Sequence, residues 1–134
     1  MWIKTKNLAK ELKEPFSSLI ISHFQLMDNQ PDFKDFSLIP VPLHIKRLKW
    51  RGFNQAEELS KELSEFFKIP LITNCLIKKT DKKEFLIKDN EFVRDKNILL
   101  VDDFFSTGST MEECAKTLKE AQARKVIGLV IARE

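Results

Sequence analysis

The sequence has few cysteines and no long apolar run. Its two cysteines, Cys75 and Cys114, lie far apart and form no C-x-x-C pair. This spacing argues against a zinc module or a disulfide framework and fits a reducing cytoplasm. No segment approaches the roughly 18 consecutive apolar residues of a transmembrane helix, and the N-terminus has no signal-peptide apolar core. We therefore expect a soluble, cytoplasmic protein.

Neither sign of charge is in large excess. The formal net charge is +3, so any case for a nucleic-acid partner must depend on local clusters of charge. The hydrophobic content of 43% and the charged content of 32% are ordinary for a globular protein. A chain of 134 residues without internal repeats predicts a single domain, residues 1–134, with one sizeable core.

Apolar periodicity predicts alternating helices and strands. Asn54 is the expected N-cap of the second helix, and the apolar run at 97–101 is typical of a central parallel strand buried on both faces. This alternation favours an α/β fold with a parallel sheet. The predicted helices are 8–19, 54–67 and 111–120, the predicted strands are 36–42, 71–73, 84–87, 97–101 and 125–132, and 29–35 is a predicted loop.

The stretch LLVDDFFSTGST (99–110) carries the chemistry. An apolar strand is predicted to end on Asp102 and Asp103, where a parallel sheet binds its ligands. Gly108 allows the backbone N–H groups to turn inward, and with the hydroxyls and the following helix N-terminus they suit a phosphate. The lack of a lysine after the glycine excludes the GxxxxGK nucleotide loop. The candidate phosphate ligands are Ser106, Thr107, Gly108, Ser109 and Thr110.

The two carboxylates need a different partner, because they would repel a phosphate. Sugar hydroxyls donate to carboxylates, and Mg²⁺ favours carboxylate and phosphate oxygens. A phosphorylated ribose combines these groups. The plainer alternative is a turn in which the acids and hydroxyls only cap the strand and the helix.

The stretch at 99–110 resembles the signature of type I phosphoribosyltransferases. The segment VPLHIKRLKWRGFNQAEELSKEL (41–63) is similar to the ComF branch of that family. The resemblance implies an α/β, type I phosphoribosyltransferase-like fold, with a parallel sheet flanked by helices. It also implies that 106–110 hold the 5-phosphate of 5-phosphoribosyl-1-diphosphate (PRPP). Asp102 and Asp103 would be the catalytic pair that contacts the ribose hydroxyls and Mg²⁺, directly or indirectly.

By the same resemblance, the segment after the 36–42 strand corresponds to the diphosphate loop of the family. Its positive charges suit a leaving diphosphate, and the helix that begins at Asn54 offers a second N-terminus for an anion. A solvated basic turn, with Trp50 and Phe53 packed on the core, is the alternative. The basic residues are Lys46, Arg47, Lys49 and Arg51, of which Lys46, Arg47 and Arg51 are the predicted diphosphate ligands.

The sequence departs in three places from the pattern of the family that it resembles. Many ComF proteins open with a four-cysteine zinc module, which these residues lack. The region 78–97 is shorter than the flexible loop that closes over PRPP in type I enzymes, so the activity stays open. Gln122 stands at a helix end where the family often has glycine.

Two function classes remain. The first is an enzyme that uses PRPP and Mg²⁺, transfers ribosyl-5-phosphate to an unknown acceptor and releases diphosphate. The second is a non-catalytic ComF-type protein of DNA uptake in competent bacteria, which binds PRPP, a nucleotide or single-stranded DNA. Neither the acceptor nor the oligomeric state follows from the sequence.

Overall fold

The structure is a computed structural model that describes residues 2–4, 32–79, 84–105 and 109–133. One element is a short 3-10 helix, Asn90–Phe92. In chain order the other elements are β1 (Trp2–Lys4), β2 (Phe36–Pro40), α1 (Ile45–Arg51), α2 (Gln55–Phe67), β3 (Leu76–Lys78), β4 (Phe85–Ile87), β5 (Asn97–Phe105), α3 (Ser109–Glu120) and β6 (Lys125–Arg133).

Four of the strands form one parallel sheet in the order β1-β6-β5-β2. The strands β3 and β4 form a separate antiparallel hairpin. The parallel pairing confirms the predicted α/β class. Within the described ranges, none of the helices is both long and apolar enough to cross a membrane.

The central strand β5 separates two apolar cores. Its side chains alternate between the faces, as strand geometry requires. Ile98 and Leu100 pack on the α3 side, whereas Leu99 and Val101 pack on the α2 side. All four are fully buried, which confirms the prediction of a strand covered on both faces.

The helix α3 ends without a glycine. Gln122 itself takes the left-handed conformation, with φ 71°. The Ala123 N–H donates to the Leu118 carbonyl at 3.1 Å, and the Gln122 N–H donates to the Lys119 carbonyl at 3.0 Å. This is a Schellman ending, which satisfies the last carbonyls of the helix.

Several predicted elements differ from the observed ones. The strand expected at 71–73 is a single parallel bridge between Leu38 and Leu71. The strand expected at 84–87 is β4, whose partner β3 was not predicted, and α1 was not predicted either. The expected loop at 29–35 is described only from residue 32, where a turn precedes β2. The helix expected at 8–19 lies outside the described residues.

Candidate functional site

The acid pair lies at the carboxyl edge of the sheet, but its strand does not end there. The strand was predicted to end at the acid pair, yet β5 continues to Phe105 and pairs with β6 along this extension. The neighbouring β2 stops at Pro40, which is in register with Val101. The predicted strand end was wrong because β6 continues the hydrogen-bond ladder that β2 leaves. Asp102 is thus the first residue of β5 beyond the end of β2.

Asp102 is half-buried on the α3 face of the sheet. It follows Leu100 by two positions, so both side chains lie on the same face. Burial raises the pKa of the Cys114 thiol on α3 far above its usual range, and the negative charge of Asp102 raises it further. The carboxylate of Asp102 is therefore within electrostatic reach of α3. The side chain of Asp103 lies outside what the structure describes.

The predicted phosphate loop leads directly into α3. This helix begins at Ser109, two residues earlier than predicted, so Ser109 and Thr110 belong to its first turn. Thr110 is half-buried there. The other three candidate ligands, Ser106 to Gly108, lie outside the described residues. The described part contains a twelve-residue helix whose positive end follows directly on the predicted phosphate loop in the chain.

The segment with the predicted diphosphate ligands, residues 41–54, is called the basic segment. It contains a short helix where a loop was predicted. The imidazole Nδ1 of His44 accepts from the Lys46 N–H at 3.3 Å and caps the start of α1. The helix ends at Gly52, whose φ of 83° is left-handed and whose N–H donates to the Leu48 carbonyl at 2.7 Å. The correction has a local cause, because a capping side chain and a glycine stop enclose seven residues.

The cations of this segment are only partly described. Lys46 and Lys49 are exposed, while the side chains of Arg47 and Arg51 lie outside what the structure describes. The predicted diphosphate ligands therefore share one helix, but their contacts with an anion stay a prediction. Trp50 is also exposed, which excludes the alternative in which it packs on the core.

One hydrogen bond connects the basic segment to the strand of the acids, and a second closes the segment on itself. The Val41 N–H donates to the Val101 carbonyl at 2.8 Å. The Asn54 amide, at the far end of the segment, donates to the Val41 carbonyl at 3.1 Å. The start of the segment is therefore bonded to the residue before Asp102 on β5, and its far end is bonded to that start. Tertiary structure brings together the two motifs that the sequence separates.

A cavity of about 370 Å³ opens beside the end of β2. Leu43 and Leu48 line it from the basic segment, and Leu76, Lys78 and Lys88 line it from the hairpin region. The positive charge of Lys78 also influences the Cys114 thiol, which links this wall to the neighbourhood of Asp102. Neither lysine is among the ligands predicted from the sequence, because no motif marks these positions and only the fold brings both to the cavity.

The N-terminus of α2 is a poorer anion site than predicted. Asn54 Oδ1 already accepts from the Ala56 N–H at 3.0 Å. Glu57 and Glu58 stand in the first turn, where their carboxylates interact favourably with the helix dipole. Their negative charges lie where a bound phosphate would lie. This helix end is therefore a weak binding site for the diphosphate.

The described residues contain no group of three or more His, Cys, Asp or Glu side chains that could hold a metal ion. Mg²⁺ often binds through one or two carboxylates together with phosphate oxygens of the substrate. Asp102, a half-buried carboxylate at the sheet edge, could be one of these carboxylates. A Mg²⁺ ion at Asp102 would take its other oxygen ligands from water and from phosphates of the substrate.

Solved structures share this fold. A purine phosphoribosyltransferase from Pyrococcus horikoshii superposes with a TM-score of 0.57 at 16% identity, over 98% of this chain and 87% of that one. A phosphoribosylpyrophosphate synthetase from Mycobacterium smegmatis gives 0.54 at 18% identity, over 98% of this chain and 41% of that one. Because two different activities share the fold, the fold does not select one.

Curated relatives are competence proteins. Competence protein F of Haemophilus influenzae is 33% identical over 108 residues, covering 67% of this chain and 47% of its own length. Competence protein ComFC of Bacillus subtilis is 38% identical over 98 residues, covering 67% of this chain and 40% of its own. ComFC of Streptococcus pneumoniae is 31% identical over 111 residues, covering 75% and 50%. The chain thus spans about half the length of these relatives or less.

A family model agrees with both comparisons. The phosphoribosyl transferase domain matches residues 6–134, which include the acids, the hydroxyl-rich loop and the basic segment. The parallel sheet and the competence relatives point to the same family as the sequence resemblance. The chain belongs to the phosphoribosyl transferase domain family, on its ComF branch.

Proposed function

We propose that the protein binds PRPP together with Mg²⁺ at the carboxyl edge of the sheet and transfers ribosyl-5-phosphate to an acceptor. One observation carries this proposal. The hydrogen bond between the Val41 N–H and the Val101 carbonyl places the start of the basic segment beside the strand that bears Asp102. A ligand that spans both motifs would need phosphate at either end and hydroxyls between them, as PRPP has.

The proposed reaction breaks the bond between ribose C1 and the diphosphate oxygen and forms a bond from C1 to the acceptor. The acceptor loses a proton, and diphosphate leaves with the bonding electrons. Bound Mg²⁺ would offset the negative charge of the diphosphate. The cations of α1 would stabilise the leaving group, and the acids would orient the ribose, so no protein nucleophile is required.

Addition of PRPP with Mg²⁺ should raise the melting temperature. A ligand that binds only the native state stabilises it by about 2.7 kcal/mol at roughly 100 times Kd. That corresponds to a rise of several degrees in a domain of this size. Differential scanning fluorimetry measures the rise, with Mg²⁺ alone as the control. The absence of a shift at a saturating excess of PRPP would remove the ligand assignment.

The catalytic half of the proposal needs a separate assay. Diphosphate release from PRPP and Mg²⁺ should depend on the acceptor when a panel of bases and amines is tested. Release that is equal with and without every acceptor would indicate hydrolysis. Binding without any release would support the non-catalytic class instead.

The surface of α1 supports a second candidate, single-stranded DNA binding. Trp50 is 86% exposed and Phe53 is 47% exposed, beside the exposed Lys46 and Lys49. Exposed aromatic side chains stack on bases, and neighbouring cations contact the phosphates. Neither aromatic side chain belongs to the two apolar cores of the described sheet.

Two substitutions separate these candidates. If α1 binds diphosphate, Arg51→Ala should lower the affinity for PRPP about ten- to a hundredfold, the effect of one lost charge-assisted contact. Ribose 5-phosphate lacks the diphosphate, so its affinity should hardly change. Calorimetry with both ligands measures the difference, and Trp50→Ala serves as the matched control, with PRPP binding unchanged.

The DNA candidate predicts the opposite pattern. Trp50→Ala and Lys46→Ala would then chiefly weaken binding of a single-stranded oligonucleotide, with a steep dependence on salt. An equal loss of PRPP and ribose 5-phosphate in Arg51→Ala would contradict the proposed division of the site.

A further inference from the structure

Asn54 connects the two ends of the basic segment. Its Oδ1 accepts from the Ala56 N–H at 3.0 Å, and its Nδ2 donates to the Val41 carbonyl at 3.1 Å. One side chain thus caps α2 and also contacts the residue at which the segment begins. Both functions of the amide group are in use within the protein.

Val41 is held in place by its backbone and by its side chain. Its N–H donates to the Val101 carbonyl at 2.8 Å, and its side chain is buried in the core on the α3 side. Asn54 is therefore attached, through Val41, to the strand that carries Asp102. Residues 41–54 therefore leave the edge of the sheet and return to it, and their two ends are hydrogen-bonded to each other.

The helix α1 is too short to be stable on its own. It has seven residues, whereas isolated helices shorter than about 12 are marginal in water. In the described part of the chain, α1 has no extensive packing with another helix or strand. Leu48 is half-buried, but Lys46, Lys49 and Trp50 are exposed. Among the described contacts, the hydrogen bonds at the ends of the segment tie it to the sheet.

We propose that Asn54 is a positioning residue that holds the cations of α1 at a defined distance from the acid pair. The inference rests on the proposed function, because it assigns the cations to the diphosphate of PRPP. Asn54 itself does not touch the ligand. It acts through Val41, and its effect should appear only with ligands that carry the diphosphate.

The side-chain chemistry explains why asparagine suits this position. Serine and aspartate cap helices about as well. Serine is too short to reach the carbonyl of Val41 while it caps the helix. Aspartate has no N–H to donate, and its charge would repel that carbonyl. Asparagine supplies an acceptor for the cap, a donor for Val41 and no charge.

The test compares Asn54→Ser and Asn54→Asp with the parent protein. Both variants keep a cap and remove the bond to Val41. We expect Asn54→Ser to lower the affinity for PRPP about two- to tenfold, as for one neutral hydrogen bond. The affinity for ribose 5-phosphate should stay unchanged, and Asn54→Asp should lose at least as much PRPP affinity as Asn54→Ser. Calorimetry with each ligand gives the ratio.

Hydrogen exchange tests the same inference without a ligand. The Leu48 and Gly52 amides, which donate to the His44 and Leu48 carbonyls, should exchange faster in Asn54→Ser. The Ala121 amide, which donates to the Thr117 carbonyl at the end of α3, is the control and should not change. Nuclear magnetic resonance reports each amide separately.

The outcomes are distinguishable. If the parent protein does not bind PRPP, the proposed function fails, and exchange alone decides whether Asn54 holds the segment. The positioning role is overturned if Asn54→Ser keeps both its PRPP affinity and its exchange protection. It is also overturned if only Asn54→Asp loses affinity, since charge would then be the cause, or if both ligands weaken equally.

Discussion

Asp102→Asn should weaken binding of PRPP and of ribose 5-phosphate about ten- to a hundredfold, because a hydrogen bond to a charged group contributes roughly 1.5–3 kcal/mol. The amide roughly keeps the shape of the side chain but loses the charge that accepts from the ribose hydroxyls or from their metal. Inorganic phosphate has no ribose, so its binding should change little. Isothermal calorimetry with the three ligands measures the contrast.

The chain offers a matched control for this substitution. Glu113 is exposed on α3, and its charge also reaches the Cys114 thiol. Glu113→Gln removes the same charge from the same neighbourhood and should leave all three affinities near those of the parent. Asp103→Asn tests the second acid in the same way. If both aspartate variants bind PRPP like the parent, the carboxylates have only a structural role.

Leu99→Ala should lower the free energy of unfolding by about 2–5 kcal/mol, the usual cost of a buried leucine truncation. Leu99 is 0% exposed and packs in the core on the α2 side of the sheet. The central strand has little freedom to collapse around the lost volume, since both of its neighbours are paired to it. Urea unfolding followed by circular dichroism measures the change.

Leu86→Ala is the control for that truncation. Leu86 is 38% exposed on the β3–β4 hairpin, outside the main sheet. Its truncation should change the stability by well under 1 kcal/mol, as for ordinary surface substitutions. Equal losses in the two variants would contradict the central position of β5.

The elements with local signals were predictable. Helix α2 follows from apolar residues at helical spacing, because Ala56, Leu59 and Leu63 need only one neighbouring surface to bury them. Its start follows from the capping chemistry of Asn54. The apolar run of β5 likewise predicts a strand with neighbours on both faces. In each case the information lies within about a dozen residues.

Elements that depend on distant partners were missed. β1 pairs with β6, at the other end of the chain, and three residues contain too little pattern to reveal this. The hairpin strands are equally short. Helix α1 has only seven residues, and its described side chains Lys46, Lys49 and Trp50 face solvent. The extension of β5 to Phe105 depends on β6, which supplies hydrogen bonds beyond the end of β2.

The α/β class, the phosphoribosyltransferase resemblance and the candidate residues could be predicted, because each depends on the order and spacing of nearby side chains. The position of the basic segment beside the strand of the acids follows from tertiary contacts alone. That position depends on Val41, which donates to Val101 and accepts from Asn54. Such bonds join residues far apart in the chain, and neither partner shows in its own segment where the other will lie.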